Sequence, residues 1–147
     1  MPQSLVKILV HVVFSTKDRA QSIAPEIEPR LSAYIRGIVK NSGTRMIIAG
    51  GLADHIHLLI SLGKNDISVL IGEIKRSSSV WMKEHGVSRF YWQRGFGAFS
   101  VSQSNVPSVR EYVLPQKEHH ANKDFKEEFR SICEKHEVEI DERYCWD

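Results

Sequence analysis

The stretch ADHIHLLIS, residues 53–61, alternates with the period of a β-strand. Successive strand side chains point to opposite faces, so Ile56, Leu58 and Ile60 share one side and His55, His57, Leu59 and Ser61 the other. The apolar triplet needs helices packed beneath it. Two histidines then stand on the opposite face with Cα atoms about 7 Å apart, close enough for their imidazoles to converge on one divalent ion. The bland alternative is a pair of half-exposed histidines on the open face of an antiparallel sheet.

The remaining pattern sets the order of elements around that strand. LVKILVHVVF, residues 5–14, is β-branched and apolar and predicts a first strand. In it His11 alternates with Lys7, Leu9, Val13 and Ser15, away from Ile8, Val10, Val12 and Phe14, and so can join the histidine face. Leu31, Tyr34, Ile35, Ile38 and Val39 recur at helical spacing between about 25 and 42, and NSG at 41–43 stops that helix. TRMIIAGG and DHIHLLISL predict a hairpin joined through LAD. Asp66 is placed to cap a helix over 67–84 with Ile67, Leu70, Ile71, Ile74, Val80 and Trp81 inward. GAFSVSQS predicts the fourth strand. SNVPSVREYVLPQKEHH opens as a helix capped by Ser104 or Asn105 and is kinked at Pro115, and a charged helix, KDFKEEFRSICEKH, follows.

The order is βαββαβ. It predicts an α+β, ferredoxin-like antiparallel sheet with helices on one face, plus C-terminal helices. With 147 residues the chain is expected to form a single domain, its core at about 5–120 and a helical extension at about 121–147.

Charge and cysteine content narrow the setting. Charged residues make up 26% and hydrophobic ones 41%, and a net charge of +2 by itself argues for no particular partner. The basic residues concentrate, however: Lys64, Lys75, Arg76, Lys83, Arg89 and Arg94 fall within 64–94, whereas the end of the chain is acidic. The apolar run near the N-terminus is too short for a membrane span and lacks a cleavage pattern, so no membrane partner is expected. Cys133 and Cys145 have no partner motif, which suits free thiols in the cytoplasm.

REYVLPQKEHH adds reactive groups. Tyr112 and Gln116 are four apart on one helix face, with His119 nearly above Tyr112. A tyrosine oxygen can attack phosphorus and a glutamine amide oxygen can bind a hard metal. Ionising a phenol at pH 7 costs roughly 4 kcal/mol, which a neighbouring cation or metal-bound phosphate must offset. Spacing excludes histidine-triad hydrolases, because Leu59 stands where a third histidine is needed; paired HxT or HxS motifs are also missing.

Taken in order, HVVFSTKDR, GLADHIHLLI, IKRSSSVWMKEH, WQRGFGAFSVS and YVLPQKEHH resemble the HUH single-tyrosine transposases of insertion sequences and their REP-associated relatives, over residues 7 to about 120. The resemblance implies Tyr112 as nucleophile; His55, His57 and Gln116 as ligands of Mg²⁺ or Mn²⁺; single-stranded DNA with hairpin ends as substrate; a 5′-phosphotyrosine intermediate; and a homodimer. His119 or His120 could replace Gln116. Cations and aromatics suited to a single strand are Lys17, Arg19, Lys75, Arg76, Arg89, Trp92 and Arg94, although the aromatics equally fit a core. Two other readings stay open: a binding module whose active site is unused, and a metal-dependent phosphodiesterase.

Overall fold

The computed structural model describes residues 3–114 and 124–146. Its strands are β1 (Leu9–Ser15), β2 (Arg45–Gly51), β3 (His55–Ser61) and β4 (Gly97–Val101); its helices are α1 (Glu28–Asn41), α2 (Ile67–Glu84), α3 (Val106–Val113) and α4 (Phe125–Lys135). The sheet order is β2-β3-β1-β4 and every neighbouring pair is antiparallel. This is the predicted α+β arrangement.

The strand alternation works as expected on one face. Val10, Val12, Phe14, Ile56, Leu58 and Ile60 pack against Leu31, Ile35 and Val39 of α1 and Leu70, Ile71, Ile74 and Met82 of α2. Full burial of each such side chain contributes about 1.5–3 kcal/mol. The other face, expected open, is covered. Ile48 and Leu59 meet Val113 of α3, and Val13 and Phe99 meet Phe125 and Cys133 of α4. The charged C-terminal helix carries an apolar stripe, Phe125, Phe129, Ile132 and Cys133, which needs a surface to bury it.

Several boundaries move for identifiable reasons. β1 starts at Leu9 rather than Leu5, and β4 ends at Val101 rather than Ser104. Leu9 pairs with both Ser61 and Val101, so both ladders end there. Asp66 caps α2 as predicted, accepting from the backbone N–H groups of Ser68 and Val69 at 2.8 and 3.2 Å. Val80, expected inward, is 51% exposed. The inward stripe instead runs Ile71, Ile74, Ser78, Met82 at three- and four-residue steps. Ser78 is tolerated there because it donates to the Ile74 carbonyl and accepts from the Trp92 indole. Asn105 stands at the start of α3, but its side chain makes no capping bond.

Two glycines seat the helices of the second face. A Cβ on Gly50 would lie 2.8 Å from the Val113 carbonyl oxygen, so α3 reaches β2 only because the side chain is missing. A Cβ on Gly97 would stand 2.6 Å from the Phe129 ring of α4. Among the described residues no helix is long and apolar enough to cross a membrane.

Candidate active site

The histidine face and the two helices over it enclose a polar cluster. His55 and His57 leave β3 toward α3 and α4 and are 1% and 0% exposed. His11 sits diagonally across the β1–β3 ladder from His57, since Val13 pairs with His57 and His11 with Leu59. Its Nε2 is 2.8 Å from His57 Nδ1. Asp54, in the hairpin link, places Oδ1 2.6 Å from His55 Nδ1. Each metal-candidate histidine is thus held through Nδ1, leaving Nε2 directed into the cluster.

Glu128 of α4 meets those atoms. Its Oε1 lies 2.9 Å from His57 Nε2 and its Oε2 lies 3.8 Å from His55 Nε2. Tyr112 of α3 donates its phenol to the same Oε1, and its ring centroid is 5.6 Å from that of His57. Phe125 packs on His55 with ring centroids 4.8 Å apart, sealing the other side. Beside the cluster opens a cavity of about 500 Å³ lined in part by His11, Ser100, Ser108, Tyr112, Glu128 and Lys135.

The electrostatics follow from burial. The Tyr112 phenol is pushed well above the usual tyrosine range, first by burial and then by the hydrogen bond and charge of Glu128. Burial, with His57 adding to it, lowers His11 to about 3 against the opposing pull of Glu128, so His11 is neutral at pH 7. His55, His57 and Glu128 each offer a ligand atom, all within 4.8 Å of one another. Two imidazole nitrogens and one carboxylate oxygen form a donor set that fits a divalent first-row ion.

The structure therefore brings His55, His57 and Tyr112 together. Gln116, His119, His120 and Pro115 lie outside the described residues. Glu128 was missed by sequence reasoning, yet it carries a signal: an acid three residues after Phe125 on the stripe Phe125, Glu128, Phe129, Ile132, where an apolar residue belongs.

The expected DNA-contacting residues separate. Lys17, Arg76, Arg89 and Arg94 are exposed. Arg19 donates to the Trp146 carbonyl at 3.1 Å. Lys75 gives its ammonium to the Gln93 and Gly95 carbonyls at 2.9 and 2.5 Å, and burial lowers it to about 8. Trp92 requires a correction. At 9% exposure, wedged edge-on against Phe14 and Phe90, it belongs to the core and offers no face to a base. Tyr91 next to it is 52% exposed, with Lys83 Nζ 4.6 Å from its ring centroid.

Comparison with known proteins adds an independent line. The family model described as "Transposase IS200 like" matches residues 4–116. Transposases for insertion sequence element IS200 from Salmonella typhimurium and Salmonella typhi are each 28% identical over 116 residues, covering 74% of this chain and 76% of theirs. A candidate transposase from Deinococcus radiodurans R1 superposes with a TM-score of 0.62 at 19% identity, covering 75% of this chain and 91% of that one. A REP-associated tyrosine transposase bound to a REP hairpin superposes with a TM-score of 0.61 at 16% identity, covering 81% of this chain and 72% of that one. Helix α4, with Glu128, lies beyond the residues the family model matches.

Proposed function

The chain belongs to the IS200-like transposase family, and from that premise we propose that it cuts and rejoins single-stranded DNA through a covalent 5′-phosphotyrosine at Tyr112. Tyr112 Oη attacks the scissile phosphorus, the bond from phosphorus to the 3′ oxygen breaks, and a free 3′-hydroxyl remains. Attack by that hydroxyl on the phosphotyrosine reverses the step and joins strands.

The observation that carries this reading is that the Tyr112 hydroxyl and His57 Nε2 meet on one carboxylate, that of Glu128. The tyrosine thus stands within reach of the group expected to hold the ion. His55 and His57 are the ligands in this reading, with oxygen from Glu128, from Gln116, or from both in turn. When bound, Mn²⁺ or Mg²⁺ supplies polarisation of the phosphate and offsets the cost of the phenolate; the nitrogen-rich donor set favours Mn²⁺. Glu128 keeps the phenol protonated in the absence of substrate, so Tyr112 must exchange that partner before it attacks. Lys17, Arg19, Arg76, Arg89 and Arg94 are the cations available to the DNA backbone. Hairpin ends are the expected substrate, in keeping with the REP hairpin bound by the similar transposase.

Labelled single-stranded hairpins incubated with the protein and Mn²⁺ should yield a denaturation-resistant protein–DNA adduct. Chelation of the metal and Tyr112→Phe should each abolish it. Cleavage without adduct would instead favour a phosphodiesterase, and binding without cleavage across a hairpin panel would favour a binding module.

A further inference from the structure

We propose that His11 and Asp54 are positioning residues that present the Nε2 lone pairs of His57 and His55 to a divalent ion. The inference rests on the reading of the histidine pair as a metal site and assigns two residues that the reading itself does not use.

A neutral imidazole carries one N–H and one lone pair, and the partner at one nitrogen decides which nitrogen keeps the proton. Asp54 settles the matter for His55. A carboxylate only accepts, so at 2.6 Å it holds the proton on Nδ1 and leaves Nε2 bare. His57 has a different kind of partner. His11 Nε2, 2.8 Å away, can give or take the single proton between the two rings.

That ambivalence matches two arrangements of His57. Without an ion, Nε2 stands 2.9 Å from Glu128 Oε1; the two atoms are not aligned as a hydrogen bond, but a carboxylate charge at that distance repels a lone pair on Nε2 and so favours the proton there. His57 Nδ1 then accepts from His11 Nε2–H. With an ion on Nε2, that nitrogen must be bare, so the shared proton moves to His57 Nδ1 and His11 Nε2 accepts. Each ring carries one proton before and after. The proton leaving His57 Nε2 is balanced by one taken up at His11 Nδ1 from water in the cavity that His11 lines. A carboxylate in place of His11 would fix one arrangement, and an aliphatic side chain would support neither.

The test is Mn²⁺ affinity of the full chain, measured by calorimetry or by electron paramagnetic resonance. His11→Leu and Asp54→Ala should each weaken binding by about 10–100-fold. His11→Gln and Asp54→Asn, whose amides offer an acceptor, should bind within a few-fold of wild type. Nitrogen-15 spectra of the imidazoles, recorded with Zn²⁺ as a diamagnetic probe, should show the His57 proton shifting from Nε2 to Nδ1. Metal-free melting curves report whether each variant folds, and the paired amide variants keep the comparison decisive if His11→Leu does not. Wild-type Mn²⁺ affinity in folded His11→Leu, or a His57 tautomer unchanged by Zn²⁺, overturns the proposal. If His57→Ala also binds like wild type, the metal-site reading itself has failed; if only His57→Ala loses binding, that reading stands and the positioning role falls.

Discussion

At the scale of single residues, burial decides the protonation of the site. His11 is held neutral in the fold with its value near 3, whereas an unfolded histidine titrates near 6.5. Its contribution to stability is therefore complete above about pH 6.5 and is lost as pH falls toward 3, because the unfolded chain binds the extra proton first. The slope is about 1.4 kcal/mol per pH unit for one such group. Denaturant melts between pH 6.5 and 4 should show a shallower decline for His11→Gln than for wild type. An identical decline would mean that other groups set the acid limit. Tyr112 has the opposite sense: its raised value means that stability present below about pH 10 is lost as pH climbs past it.

At the scale of elements, Tyr112, the proposed nucleophile, is aimed by a glycine on the neighbouring strand. Gly50 lets the end of α3 rest on β2, and the atom a new Cβ would strike is the backbone carbonyl of Val113, next to Tyr112. A backbone atom cannot rotate away, so Gly50→Ala should shift α3 as a unit. A displacement of about 1 Å at a reacting group costs about 10²-fold in rate. Adduct formation should fall by about that factor while Mn²⁺ affinity falls less, since His55 and His57 lie on β3 and Glu128 on α4. Equal loss of both would point to general unfolding instead. The bounds of α2 and the alternation of β3 were legible in the sequence, since their periodicity and the Asp66 cap are local. The inward place of Ser78 was not, because it depends on the Trp92 indole fourteen residues away.

At the scale of the whole molecule, one chain supplies both the histidine pair and the tyrosine. The family resemblance implies a homodimer, and if the geometry of the single chain carries over to it, each subunit would complete its own site. Mixing Tyr112→Phe with His57→Ala protein should therefore leave adduct formation abolished. Recovery of activity in the mixture would show that the tyrosine acts across subunits. The charged C-terminal helix has a place in this picture that its composition hid: α4 closes the sheet face and brings Glu128 onto both histidines.

Local pattern by itself determined the strand alternation, the βαββαβ order and the candidacy of His55, His57 and Tyr112, because each depends on spacing within one element or on a recognisable ordered set of motifs. The tertiary structure alone decided that the histidine face is covered, that Trp92 is core and that Glu128 joins the site. Those facts depend on which surface the stripe of α4 buries against and on how closely α3 and α4 approach the sheet. Such approaches are fixed by pairs of residues far apart in the chain, Gly50 with Val113 and Gly97 with Phe129, and the periodicity of either partner alone carries no record of the other.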